Sequence, residues 1–190
     1  MATTRENKTI SQFKSQLIGG GARPNLFEVE LTTLPAGIAW PADNFRYMCK
    51  AAQLPESTIA NIDIPFRGRI FKVAGDRTIA PWSITVINDE DFRIRKAMEE
   101  WVDLIAKLEN NLGATDPNAY MVNAKVFQLG RGSTPSSKNN AGDRNAVLRE
   151  YEFIDIFPTS VSSIDLSYDS SDTIEAVSYT HLTLPTTPRV

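Results

Sequence analysis

The side chains able to do chemistry in this chain are few. His181 is the single histidine and Cys49 the single cysteine. A nucleophile pair would have to join them, with the imidazole taking the thiol proton. Cys49 lies in the apolar alternation Tyr47-Met48-Cys49, where a buried, inert thiol is expected. Zinc wants several Cys or His ligands, and one of each does not provide them. One cysteine also makes no internal disulfide, which fits a reducing compartment.

Carboxylates are more numerous: Asp89-Glu90-Asp91, Asp143, Asp155, Asp165, Asp169 and Asp172 offer hard-cation or acid–base chemistry in principle. The first three immediately precede a helical pattern and read as capping groups. Asp169-Ser170-Ser171-Asp172 reads as a turn, since Asp and Ser bond their own backbone, and it lacks the closing glutamate of a calcium loop. Arg67-Gly68-Arg69 reads as a solvated hairpin tip. The reading assigns no catalytic, metal or cofactor residue. A hydrolase on a β scaffold is disfavoured because no activated base or nucleophile pair is present, leaving only carboxylate catalysis.

The elements that must position these groups are mainly strands. Phe27, Val29 and Leu31 alternate with Glu28 and Glu30, a half-buried strand pattern. Strand signals recur at residues 45–51, 58–64, 69–73, 82–87, 119–128, 147–157 and 161–168. Pro35, Pro41, Pro55, Pro65, Pro81 and Pro158 fall between these runs or at their ends. Residues 92–109 break the pattern: Ile94, Ala97, Met98, Trp101, Leu104, Ile105 and Leu108 recur at helical spacing, with Gly113 just beyond. Their stripe is expected to seal one opening of a β-sandwich or small barrel. A short amphipathic helix is read at residues 8–18 through Ile10, Phe13 and Leu17. The glycines 19–21 then form a hinge, and residues 130–145 form a long polar loop.

With 190 residues, 42% of them hydrophobic, the chain suffices for one sizeable core. Its net charge of −3 gives no bulk attraction to phosphate backbones or anionic membranes. Residues 1–16 lack the apolar run of a signal peptide, and nothing approaches the ~20 apolar residues of a membrane helix. A soluble protein is expected.

Four segments resemble the tail tube proteins of contractile-tailed bacteriophages. They are Ala22-Arg23-Pro24-Asn25-Leu26-Phe27; Cys49-Lys50-Ala51-Ala52-Gln53-Leu54-Pro55; Val73-Ala74-Gly75-Asp76-Arg77-Thr78 followed by Trp82 to Asn88-Asp89-Glu90; and Phe157-Pro158-Thr159-Ser160-Val161 running on to Asp169-Ser170. The resemblance covers roughly residues 20–175. It implies a β-sandwich or small barrel with one flanking helix, forming hexameric rings that stack into the inner tube of a virion tail. Its partners would be further copies of itself, the sheath, baseplate and tape-measure proteins and the passing double-stranded DNA, with no membrane and with assembly in the host cytoplasm. It also implies that the hairpin carrying Ile62, Ile64, Phe66, Arg67, Arg69, Ile70 and Val73 reaches a neighbouring subunit. Arg23, Pro24, Asn25, Gly75, Asp76, Arg77, Trp82, Asn88, Asp89 and Pro158 are its structural motif residues. The alternative is the related tube of a secretion or bacteriocin-type contractile injection system.

The chain therefore divides into an arm and hinge (1–21), a tail-tube β domain (22–176) and a tail (177–190). The family pattern is expected to stop near Glu175. Back-translated as GTC TCT TAT ACA CAT CTG ACG CTG CCG ACG, the residues from Val177 resemble a transposase-end sequencing adaptor, so the tail reads as non-native. Its natural final strand would be missing. That leaves an open sheet edge into which Val177, Tyr179, Leu182 and Leu184 are drawn by β propensity, until Pro185 and Pro188 end the strand.

Overall fold

The computed structural model describes residues 9–17, 21–31, 34–130, 147–182 and 188–189. In chain order these form α1 (Ile10–Gln16), β1 (Phe27–Leu31), α2 (Ala42–Met48), β2 (Cys49–Gln53), β3 (Ser57–Phe66), β4 (Arg69–Ile79), β5 (Trp82–Ile87) and α3 (Arg93–Ile105). A 3-10 turn at Pro117–Ala119 precedes β6 (Val122–Leu129), β7 (Val147–Val161), β8 (Ala176–Leu182) and the two-residue β9 (Pro188–Arg189). Gly19, Gly20, the expected loop from residue 131 and Asp143 within it, and most of the tail beyond Leu182 lie outside the described residues.

Seven strands make one open sheet in the order β1-β6-β7-β8-β5-β2, with β9 beside β7, while β3 and β4 pair only with each other. The expected sandwich or barrel is thus an open sheet plus a projecting hairpin. Its corner lies in β7, which pairs with β6 up to Ile156 and with β8 from Phe157 onward. Asp155 there has φ +53°. One core results, joining Val29 and Leu31 of β1, Ile84 and Val86 of β5, Val122, Ala124 and Val126 of β6 and Phe153 and Ile156 of β7. From α3, Ile94, Met98 and Trp101 bury the stripe read in the sequence. The Trp101 indole N–H donates to the Tyr120 carbonyl at 2.7 Å.

Several expectations are corrected. Residues 45–48 are the second half of α2 rather than the start of a strand, which begins at Cys49: Phe45 is the one buried anchor of α2, and Arg46 pairs with Glu28 and Glu30 of β1 at 2.9 and 3.3 Å. One inward anchor with polar neighbours suits a helical turn as well as a strand. The acidic run does not cap α3. Phe92 occupies the N-cap at φ +50° with no side-chain cap. Asp89 instead accepts from the Asn44 amide at 3.1 Å, and Asp91 pairs with Arg93. The helix stops at Ile105, leaving Leu108 exposed. The Gly113 backbone crosses its end, where an added Cβ would lie 1.8 Å from the Ile105 carbonyl oxygen. Residues 161–168 are not a separate strand, because β7 runs through Pro158 to Val161 and the chain then becomes irregular. Finally, β8 is no edge: it lies between β7 and β5, and Pro188 falls in β9.

Candidate assembly surface

Arg67 and Gly68 have φ of +47° and +79°, the left-handed pair that a two-residue hairpin turn requires. Counting outward from that turn fixes the register: Phe66 opposite Arg69, Ile64 opposite Phe71, Ile62 opposite Val73. Ten residues of β3 at about 3.3 Å each carry the hairpin roughly 33 Å. Every residue of β3 is exposed.

Alternation places Ile62, Ile64, Phe66, Phe71 and Val73 on one face,. Ile70 pairs with Pro65 and lies on the other face, where Asp63 and Lys72 form a 4.0 Å ion pair. With the turn at residues 67 and 68, Phe71 joins the Ile62–Ile64–Phe66 face and Ile70 does not. Arg67 lies over the Phe66 ring at 5.4 Å. At the base, Arg77 Nε donates to Ser57 Oγ at 2.6 Å and the Thr58 and Thr78 hydroxyls meet at 2.7 Å. A Cβ on Gly75 would stand 3.0 Å from the Ala60 carbonyl oxygen beside the bulge, a tight contact that the neighbouring strand would have to relieve by a few tenths of an ångström.

The remaining motif residues hold the fold rather than one site. The Arg23 carbonyl, in the Arg23-Pro24-Asn25 turn before β1, accepts from the Gln128 amide at 2.7 Å. Asp76 is exposed on β4. Trp82 is buried and stacks on Phe153. The Asn88 N–H donates to the Glu175 carbonyl at 3.0 Å, and its side-chain amide donates to the Glu175 carboxylate. Pro158 stands opposite His181 in the β7–β8 pairing.

Cys49 and His181 do not meet. Cys49 pairs with Val86 on one side of β5, and His181 with Trp82 on the other side and at the opposite end. Burial pushes the Cys49 thiol up to about 12 and the His181 imidazole down to about 4. Among the described residues no three His, Cys, Asp or Glu gather as metal ligands, and no helix is long and apolar enough to cross a membrane. What the surface does offer is apolar side chains at several places. Besides the hairpin these are Ile10 and Phe13 on α1, and Leu166, Tyr168 and Ile174 between β7 and β8.

The sequence profile described as "Phage tail tube protein" matches residues 22–181, past the expected stop near Glu175. The tail tube protein gp19 of Enterobacteria phage T4 is 33% identical over 162 residues, covering 85% of this chain and 88% of that protein. Among solved structures, a chain of the anti-feeding prophage baseplate superposes with TM-score 0.61 at 10% identity, covering 89% of this chain and 95% of that one. A chain of the anti-feeding prophage tube-terminating cap superposes with TM-score 0.57 at 17% identity, covering 100% and 99%.

Proposed function

Because this chain belongs to the phage tail tube protein family, and so is a structural component of a contractile tail, we propose that its copies form hexameric rings. These rings stack into the tail's inner tube. The observation that carries the assembly reading is the apolar face of the β3–β4 hairpin, five large side chains exposed on an arm outside the main sheet. A contiguous apolar patch of that kind marks an interaction surface. A ring of identical subunits gives each hairpin the same heterologous partner. The exposed apolar side chains of α1 and of the β7–β8 connection are further contacts of this assembly.

The tube is the conduit for the tape-measure protein and the genome, encloses no catalytic site, is wrapped by the sheath and is seated on the baseplate. Assembly takes place in the host cytoplasm. A net charge of −3 per copy suits a wall that must not hold phosphates, since each neutralising Lys or Arg would retain the duplex. The phage reading stands ahead of a secretion or bacteriocin tube on sequence: 33% identity to the T4 protein against 17% or less to the injection-system chains.

Electron microscopy and sedimentation of the concentrated protein test the proposal. Six-fold rings and tubes are expected, and a monomer at every concentration overturns it. Salt-dependent tight binding of duplex DNA by assembled tubes would count against the non-retaining wall.

A further inference from the structure

Two backbone ladders and a ring of buried apolar side chains define a groove between β5 and β7. On one side β5 pairs antiparallel with residues 176–181, from Ile87↔Ala176 to Trp82↔His181. On the other, β7 pairs with residues 179–182. The walls are the buried Trp82, Ile84 and Val86 of β5, Phe153 and Ile156 of β7 and Trp101 of α3. Asn88 holds Glu175 at the mouth by two hydrogen bonds, so the chain is steered in before β8 begins.

We infer that this groove is a strand-acceptor site whose fitting occupant is apolar at all three inward positions, and that residues 177–190 are foreign, with residues 177–182 lodged in the groove as a substitute strand. Backbone pairing is blind to sequence and is satisfied here. The outward side chains fit as well: Ser178 meets Thr85 at 3.2 Å, and the Ser178 N–H donates to Ser162 Oγ at 3.0 Å. The misfit is confined to the side chains that point inward.

Val177, Tyr179 and His181 are each fully buried. Val177 brings no polar atom. The Tyr179 hydroxyl and both nitrogens of His181 find no hydrogen-bond partner among the described residues. His181 instead lies against the Trp82 and Trp101 rings, with centroids at 5.6 and 5.7 Å, and the Trp82 indole N–H is itself unpartnered. Native cores pair nearly all such groups. Three of the eight such atoms among the described residues fall on two side chains of this one inner strand, the concentration expected of a sequence the surrounding core was not shaped for. One set of codons for the same residues, from Val177 onward, also resembles a transposase-end adaptor. The family match ends within this segment, at residue 181.

Two measurements on the full chain test the inference. Thermal and urea unfolding are compared for wild type, Tyr179→Phe, His181→Leu and His181→Gln. Removing the orphaned atoms is expected to lower the unfolding equilibrium constant about tenfold for Tyr179→Phe and His181→Leu. His181→Gln keeps a polar group and should bring no such gain. Loss of stability in both apolar variants, or an equal gain in His181→Gln, overturns the misfit. Sequencing an independent clone, or genomic DNA of the source phage, across codon 176 is expected to show a different strand, apolar at the three inward positions. Recovery of this same tail there overturns its foreign origin.

Discussion

Ile64 and Phe71 stand directly opposite each other on one face of the β3–β4 hairpin, 46% and 66% exposed. A cross-strand apolar pair stabilises a sheet when a second layer covers it, and within one subunit nothing in the core cluster includes either residue. Replacing both, Ile64→Asp with Phe71→Asp, should leave folding stability within about 0.5 kcal/mol, as exposed sites generally do, while abolishing tube growth in sedimentation. Tubes of ordinary length from that variant would refute the hairpin's role. Deleting residues 66–69 should act the same way.

Trp82 and Phe153 stack with centroids 4.6 Å apart and planes 14° apart, bridging β5 and β7 through the core. Phe153 is 1% exposed. Phe153→Ala should therefore cost about 3–5 kcal/mol, a transfer loss plus a cavity. Urea denaturation checks this through a lower midpoint with an unchanged slope.

Acid should loosen β8. His181 is held neutral by burial, its pKa lowered from 6.5 to about 4. Its contribution to stability is whole above pH 6.5 and is lost as pH falls toward 4, because the unfolded chain takes up the proton first. Burial also raises the Tyr179 hydroxyl to about 12, against the pull of Arg95, so stability should decline again above pH 10. Unfolding curves across pH should show the acid slope shrink in His181→Leu and the alkaline slope shrink in Tyr179→Phe.

Gly113 needs no unusual φ; it needs the absence of a side chain, since its Cβ would overlap the Ile105 carbonyl. Gly113→Ala should force the residues after α3 away from the helix end, costing about 2 kcal/mol. Calorimetry of the variant reads this as a lower Tm, and an unchanged Tm would mean the segment shifts freely.

Much of this fold is legible in local sequence pattern. The α3 stripe survives because its spacing fits only a helix, and β5 because Trp82, Ile84 and Val86 alternate without interruption. Residues 45–48 read as strand in the sequence and are helical in the fold, because a short run with one anchor, Phe45, satisfies both periods,. Asp89 could not be assigned from its neighbours, since its partner Asn44 lies 45 residues away.

The sequence by itself determined the mainly β character, the place of α3, a hairpin tip around Arg67-Gly68-Arg69 and, through its motifs, the family. These are properties of neighbouring residues, carried by periodicity and by backbone angles that few residue types adopt. Only the tertiary structure decided that β8 is an inner strand, that the β3–β4 hairpin stands outside the main sheet, and that Tyr179 and His181 are buried without hydrogen-bond partners among the described residues. Those facts depend on strands brought together across long stretches of chain, where one residue of register or one neighbouring strand converts an exposed side chain into a core one.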